Sequence, residues 1–131
     1  MNDQPQTPPT FPEENLEDVT LDIVRDYLLK TYKLDPDKLD ILMAGACSGI
    51  QKAMSEANRQ LDLGNRVLMG NAVHSMKGAL LNMGLNGWAN FARLIEASAK
   101  KNEDLDYQPL LQKLAKGLNN LLEAEMKTEE R

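Results

Sequence analysis

From Val19 to Met126 the aliphatic side chains recur at intervals of three and four residues, and the rhythm breaks only at short stretches holding Pro, Gly, Asn or Asp. That period gathers apolar residues on one face of a helix, and no alternating strand pattern competes with it. The spacing therefore predicts an all-α domain: an antiparallel four-helix bundle with a short N-terminal capping helix. Residues 1–18 differ in kind. They hold four of the six prolines, several acids and almost no aliphatics, too little to offset ordering entropy by burial. We expect a flexible acidic, Pro-rich tail over 1–18 and the bundle over 19–131.

The first helix is expected from about Thr20 to Tyr32, with Leu21, Val24, Leu28 and Tyr27 inward, capping the bundle rather than forming a wall. In LDPDKL, Asp35 can accept from free N–H groups of the next turn, and Pro36 sits where its missing donor costs nothing. A second helix starts there, with a stripe of Leu39, Leu42, Ala46, Ile50, Ala53, Ala57 and Leu61 reaching about Asp62. The third, about Asn65 to Met83, places Leu68, Met69, Ala72, Met76, Ala79, Leu80 and Met83 inward. The fourth runs from about Gly87 to Lys100 with Trp88, Phe91, Ala92, Ile95 and Ala99 inward and Glu96 on the edge of that stripe. Asp104 or Asp106 caps a fifth, with Leu110, Leu111, Leu114, Leu118, Leu121, Leu122 and Met126 inward.

Charge and cysteine content narrow the function classes. A net charge of -5 leaves no basic footprint for a nucleic-acid backbone. The single cysteine, Cys47, cannot form an internal disulfide and sits on an apolar helical edge, as a buried inert thiol would. The N-terminal stretch lacks the basic and apolar regions of a secretory signal, and no later apolar run approaches a membrane span. We expect a cytoplasmic protein with no membrane or nucleic-acid partner, and Met1 with its tail suggests a stand-alone chain.

The only histidine, His74, lies in HSMKG, residues 74–78, on the third helix. It points away from the core stripe. Gly70, Asn71, Lys77 and Gly78 share its side at spacings of three and four, with Val67 and Leu81 one turn further out. A neutral imidazole can act as a nucleophile through one ring nitrogen, and Lys77 could neutralise charge arriving there. Gly70 and Gly78 each cost about 1 kcal/mol of helix propensity relative to alanine, which suggests a need for bare backbone where another macromolecule approaches. Val67 and Leu81 would suit the rim of such a contact.

Plainer readings stand beside this one. A lone histidine on a helix surface is commonly a solvated polar residue, and Met69, Met76 and Met83 read as flexible core packing. With no second histidine, a metal site built on imidazole pairs is excluded. A helical adaptor binding a protein partner through the His74 face without phosphorylation is one alternative. A small histidine-dependent hydrolase is another, and for that the sequence offers only Ser75, about a quarter-turn from His74 on the helix.

His74-Ser75-Met76-Lys77-Gly78 followed by Gly84 resembles the signature of histidine-containing phosphotransfer (HPt) domains: His, any residue, an aliphatic, Lys, Gly, then Gly six residues on. The resemblance spans roughly residues 36–127 and includes Ile95-Glu96, similar to the Leu-Glu that this family carries on the helix after the histidine. It implies that His74 is the phosphoacceptor and Lys77 the phosphate-stabilising cation. Glu96 would be the side chain that orients the imidazole through its other nitrogen. Gly78 would be the gap that admits a partner, with Val67, Gly70, Asn71 and Leu81 docking it. Two departures concern packing: Val73 stands where the family usually has a small alanine, and Trp88 where it usually has leucine.

The resemblance further implies a phosphocarrier rather than an enzyme with its own substrate pocket. His74 would take a phosphoryl group from a receiver-domain aspartate and pass it to another receiver aspartate. Its partners would be response-regulator receiver domains and a hybrid sensor kinase. The chain itself would be a monomer with no cofactor, since Mg²⁺ would sit on the receiver. No Gly-rich nucleotide loop occurs in the sequence.

Overall fold

The computed structural model describes residues 16–129, with side chains described as far as 127. Five helices follow one another: α1 (Leu21–Tyr32), α2 (Pro36–Asp62), α3 (Arg66–Asn82), α4 (Asn86–Lys100) and α5 (Tyr107–Glu129). Among the described residues there is no strand. Helices α2 to α5 form an antiparallel bundle in which α3 packs between α2 and α4, and α5 closes the ring against α2 and α4. Helix α1 lies across α2 and α5 as a cap.

Local chemistry sets the helix starts. Thr20 accepts from the Ile23 amide at 3.2 Å, Asp35 from Lys38 at 2.9 Å with Pro36 in the first turn, and Asn65 from Leu68 at 3.1 Å. Each satisfies a free donor of a first turn. Helix α4 is different, because Leu85 at its N-cap has no polar side chain to offer. Its cap comes from a distant part of the chain. The Glu17 carboxylate accepts from the amides of Gly87 at 3.0 Å and Trp88 at 2.9 Å, while the Trp88 indole N–H donates to the Glu17 carbonyl at 2.8 Å. Hydrogen-bonded contact with the bundle thus begins by Glu17, inside the stretch assigned to the tail. Residues 1–15 of that tail lie outside the described residues.

The core is continuous through all five helices, with Val24, Leu28, Leu39, Ile50, Met69, Met76, Leu80, Met83, Phe91, Ile95, Leu114, Leu118 and Leu121 buried. Cys47 is buried there too. The stripe of α2 is rotated from the expected one. Met43 and Cys47 point inward, Ala46 is half-buried, and Leu42 is exposed beside Leu28, Tyr32 and Leu34. Leu68 and Met126 are likewise exposed rather than inward, and Leu110 and Leu122 are half-buried. Asp104 does not precede α5 directly; it pairs with Arg66 at 2.7 Å, and the helix starts after Asp106.

Two glycines allow close contacts, one at a corner and one inside a helix. Gly84 has φ +76, a conformation that strongly favours glycine, and a Cβ there would lie 2.6 Å from the Tyr27 ring. Tyr27, placed inward from the sequence, is therefore partly exposed while one side of its ring covers the α3–α4 turn. At Gly117 a Cβ would lie 2.2 Å from the Trp88 indole, so the ring of α4 sits directly on the backbone of α5. Trp88 is held edge-on to Phe91, with ring centroids 5.9 Å apart.

Candidate functional site

His74 sits midway along α3, on the seam with α4. Its side chain is 58% exposed. Immediately before it, about 100° round the same turn, Val73 is fully buried. Across the seam, Phe91, Ala92, Ile95 and Ala99 fix α4 to the core and leave Glu96 aimed at α3 with its side chain only 10% exposed. Imidazole Nδ1 lies 2.7 Å from Glu96 Oε1. An ionised carboxylate can only accept, so Nδ1 carries the proton and donates it. In a neutral ring the lone pair is then on Nε2.

Glu96 gathers cations from both helices. Lys77 Nζ, one turn from His74 on α3, is 3.0 Å from Oε2, and Lys100 Nζ, one turn further along α4, is 3.0 Å from Oε1. Burial pushes the Glu96 carboxyl up, but the two ammonium groups and the His74 ring outweigh it and bring it down to about 2. Glu96 is therefore ionised throughout the neutral range, as the tautomer assignment requires. The structure thus brings His74, Lys77 and Glu96 into one cluster. It adds Lys100, for which the only signal in the sequence is its place four residues after a glutamate on the same helix.

The residues assigned to docking divide. Val67, Asn71 and Leu81 are exposed, and the space over Gly78 is empty to 4 Å. Gly70 is not part of that surface. It is buried, and a Cβ on it would lie 3.2 Å from Ala99 Cβ, 3.3 Å from Lys100 Cγ and 3.5 Å from the Glu96 carbonyl. Its bare backbone serves the contact between α3 and α4, one turn from His74, where close approach lets Glu96 reach the imidazole. On α2, Gly45 and Gly49 also have open space above them.

Fold and site together define a helical bundle that presents a surface histidine oriented by a buried carboxylate. The family model of the Hpt domain matches residues 43–125, more than half of the chain, and the protein belongs to that family. Comparison with curated proteins and with solved structures gave no significant match. Hpt domains serve histidine phosphotransfer in phosphorelays, working with receiver domains as phosphocarriers rather than as classical enzymes. Among the described residues no helix is long and apolar enough to cross a membrane.

Proposed function

We propose that His74 is the phosphoacceptor of this Hpt domain, taking a phosphoryl group from the aspartate of one receiver domain and giving it to that of another. The observation that carries this reading is the 2.7 Å contact between Nδ1 and a buried, ionised Glu96. It leaves Nε2 as the nucleophile on the exposed side chain. Phosphoryl transfer depends chiefly on positioning and on neutralising charge. Glu96 supplies the first by fixing the ring, and Lys77 the second. Val67, Asn71 and Leu81 form the rim on which a receiver docks, and the bare surface over Gly78 lets its active site come within reach. The divalent metal of the reaction, Mg²⁺, belongs to the receiver. One of those receivers is part of a hybrid sensor kinase, and the chain acts as a cytoplasmic monomer.

The test is labelling by a phosphorylated receiver. Wild type is expected to acquire an acid-labile, base-stable label, and His74→Gln to acquire none while melting at nearly the same temperature, because an exposed side chain contributes little to stability. A mutant that labels at the wild-type rate would remove His74 from the reaction. Binding of a receiver that is unchanged in His74→Gln, with no label on wild type, would favour a non-phosphorylated adaptor instead.

A further inference from the structure

The two oxygens of Glu96 are unequal. Oε1 accepts two directed hydrogen bonds, from His74 Nδ1 at 2.7 Å and Lys100 Nζ at 3.0 Å. Oε2 has a single cation, Lys77 Nζ at 3.0 Å. Lys100 is tied to the carboxylate along its own helix, whereas Lys77 reaches it across the seam. Of the two, only Lys77 lies on the histidine's own helix, one turn from His74.

Lys77 also has a second anion to meet. A phosphoryl group on Nε2 would bring about two negative charges to the residue one turn away. Moving to it would strip Glu96 of the cation at Oε2, and a buried carboxylate left without compensation is strongly disfavoured. Lys100 removes that conflict, because its hydrogen bond to Oε1 does not depend on where Lys77 points. Its side chain is 42% exposed, and its stem passes over Gly70 of α3, where a Cβ would lie 3.3 Å from Lys100 Cγ.

We propose that Lys100 is a positioning residue of the phosphotransfer site, holding the charge of Glu96 while Lys77 leaves that carboxylate for the phosphoryl group on His74. This inference rests on His74 being the acceptor. In the step itself, the P–O bond of the receiver's acyl phosphate breaks and its electron pair stays on the departing aspartate carboxylate. The Nε2 lone pair forms the N–P bond, and nothing is oxidised or reduced. The Nδ1 proton stays where Glu96 holds it, so the ring gains a positive charge facing that carboxylate. That charge exists only once the N–P bond has formed. Lys77 must be free while the bond is forming, and Lys100 covers the interval.

The experiment is a double-mutant cycle read by single-turnover transfer from a phosphorylated receiver at saturating concentration. Wild type, Lys100→Met, Lys77→Met and the double mutant are compared, with Lys100→Arg as the conservative variant. Lys100→Met is expected to slow transfer by about 10-fold when Lys77 is present and by less than about 2-fold when it is absent, since nothing then remains to be released. Lys100→Arg should restore the rate to within about 3-fold of wild type, because guanidinium keeps both charge and donor. A melting scan of each variant separates slowed chemistry from lost fold, and Lys100→Arg carries the test if the Met variant unfolds. In that case a rate from Lys100→Gln equal to that of Lys100→Arg would overturn the role of charge. Equal slowing in both Lys77 backgrounds, or none in the first, would also overturn the proposal. A wild type that takes no label, or a label that survives His74→Gln, overturns the phosphoacceptor reading and this inference with it.

Discussion

Glu96 is the residue on which the chemistry and the stability of this protein meet. Its carboxyl lies at about 2 in the folded chain against an ordinary value of 4.5. A carboxylate depressed in this way contributes stability that is fully present above the unfolded value and is lost as pH falls through the folded one. The window is therefore pH 4.5 down to about 2. Within it the carboxylate is expected to account for up to about 3 kcal/mol, at roughly 1.4 kcal/mol per pKa unit. Glu96→Gln keeps an acceptor near Nδ1 but has no charge to lose. Denaturant unfolding of both proteins from pH 6 to 2.5 should show wild type the more stable at neutral pH, with the gap closing below pH 4.5. Parallel curves across that range would mean that the lysines do not stabilise the charged form. None of this strength was legible in the sequence, which put Glu96 on the edge of an apolar stripe but could not say that two ammonium groups converge on it. Gly70 and Gly78 were equally inseparable there, each four residues from His74. What distinguishes them is the distance to α4, a property of helix packing.

At the scale of elements, helix existence was legible and helix rotation was not. Asp35-Pro36 and Asn65 mark helix starts by local chemistry, which is why α2 and α3 begin within a residue of expectation. Along α2, however, Leu42 and Ala46 fit a three- and four-residue spacing as well as Met43 and Cys47 do. Hydrophobicity alone drew the stripe through the leucine, whereas the groove beside α1 holds it at the surface. The cap of α4 was invisible for a different reason, since Glu17 is 70 residues from the amide of Gly87. That cap makes the segment before α1 part of the structure of α4, the helix that carries Glu96. Glu17→Ala is expected to destabilise the protein by about 1 to 2 kcal/mol, through two lost amide acceptors and one lost negative charge at a helix N-terminus. Chemical denaturation monitored by Trp88 fluorescence measures it, and a change below about 0.3 kcal/mol would mean the contact adds nothing. The same helix explains why tryptophan can stand where the family usually has leucine: Gly117 leaves room for it. Gly117→Ala should therefore lower the midpoint of unfolding, because an overpacking penalty of about 1 to 3 kcal/mol exceeds the roughly 1 kcal/mol that alanine gains in helix propensity. A raised midpoint would show that the indole moves aside freely.

Across the whole molecule, the bundle separates what holds it together from what its partner must reach. Gly70, Gly84 and Gly117 are filled over by Ala99, Tyr27 and Trp88, whereas Gly45, Gly49 and Gly78 face open space. The first three serve packing. The open ones bring a helix-propensity penalty of about 1 kcal/mol each with no packing gain in the isolated chain. Gly78, one turn from His74, tests whether that penalty serves the approach of a receiver. Leucine favours a helix over glycine by up to about 1 kcal/mol, so Gly78→Leu is expected to melt no lower than wild type. Its branched side chain would nevertheless stand between the receiver and Nε2, and a displacement of even about 1 Å can reduce transfer by about 100-fold. The two measurements are a melting scan and the labelling rate from a phosphorylated receiver. A stable protein that transfers at the wild-type rate would show that the receiver does not approach over position 78. A collapsed melting point would make Gly78 a packing glycine like Gly70, against the empty space above it. Stability kept and transfer lost is the outcome that follows from a backbone left bare at Gly78 and covered by side chains at Gly70, Gly84 and Gly117.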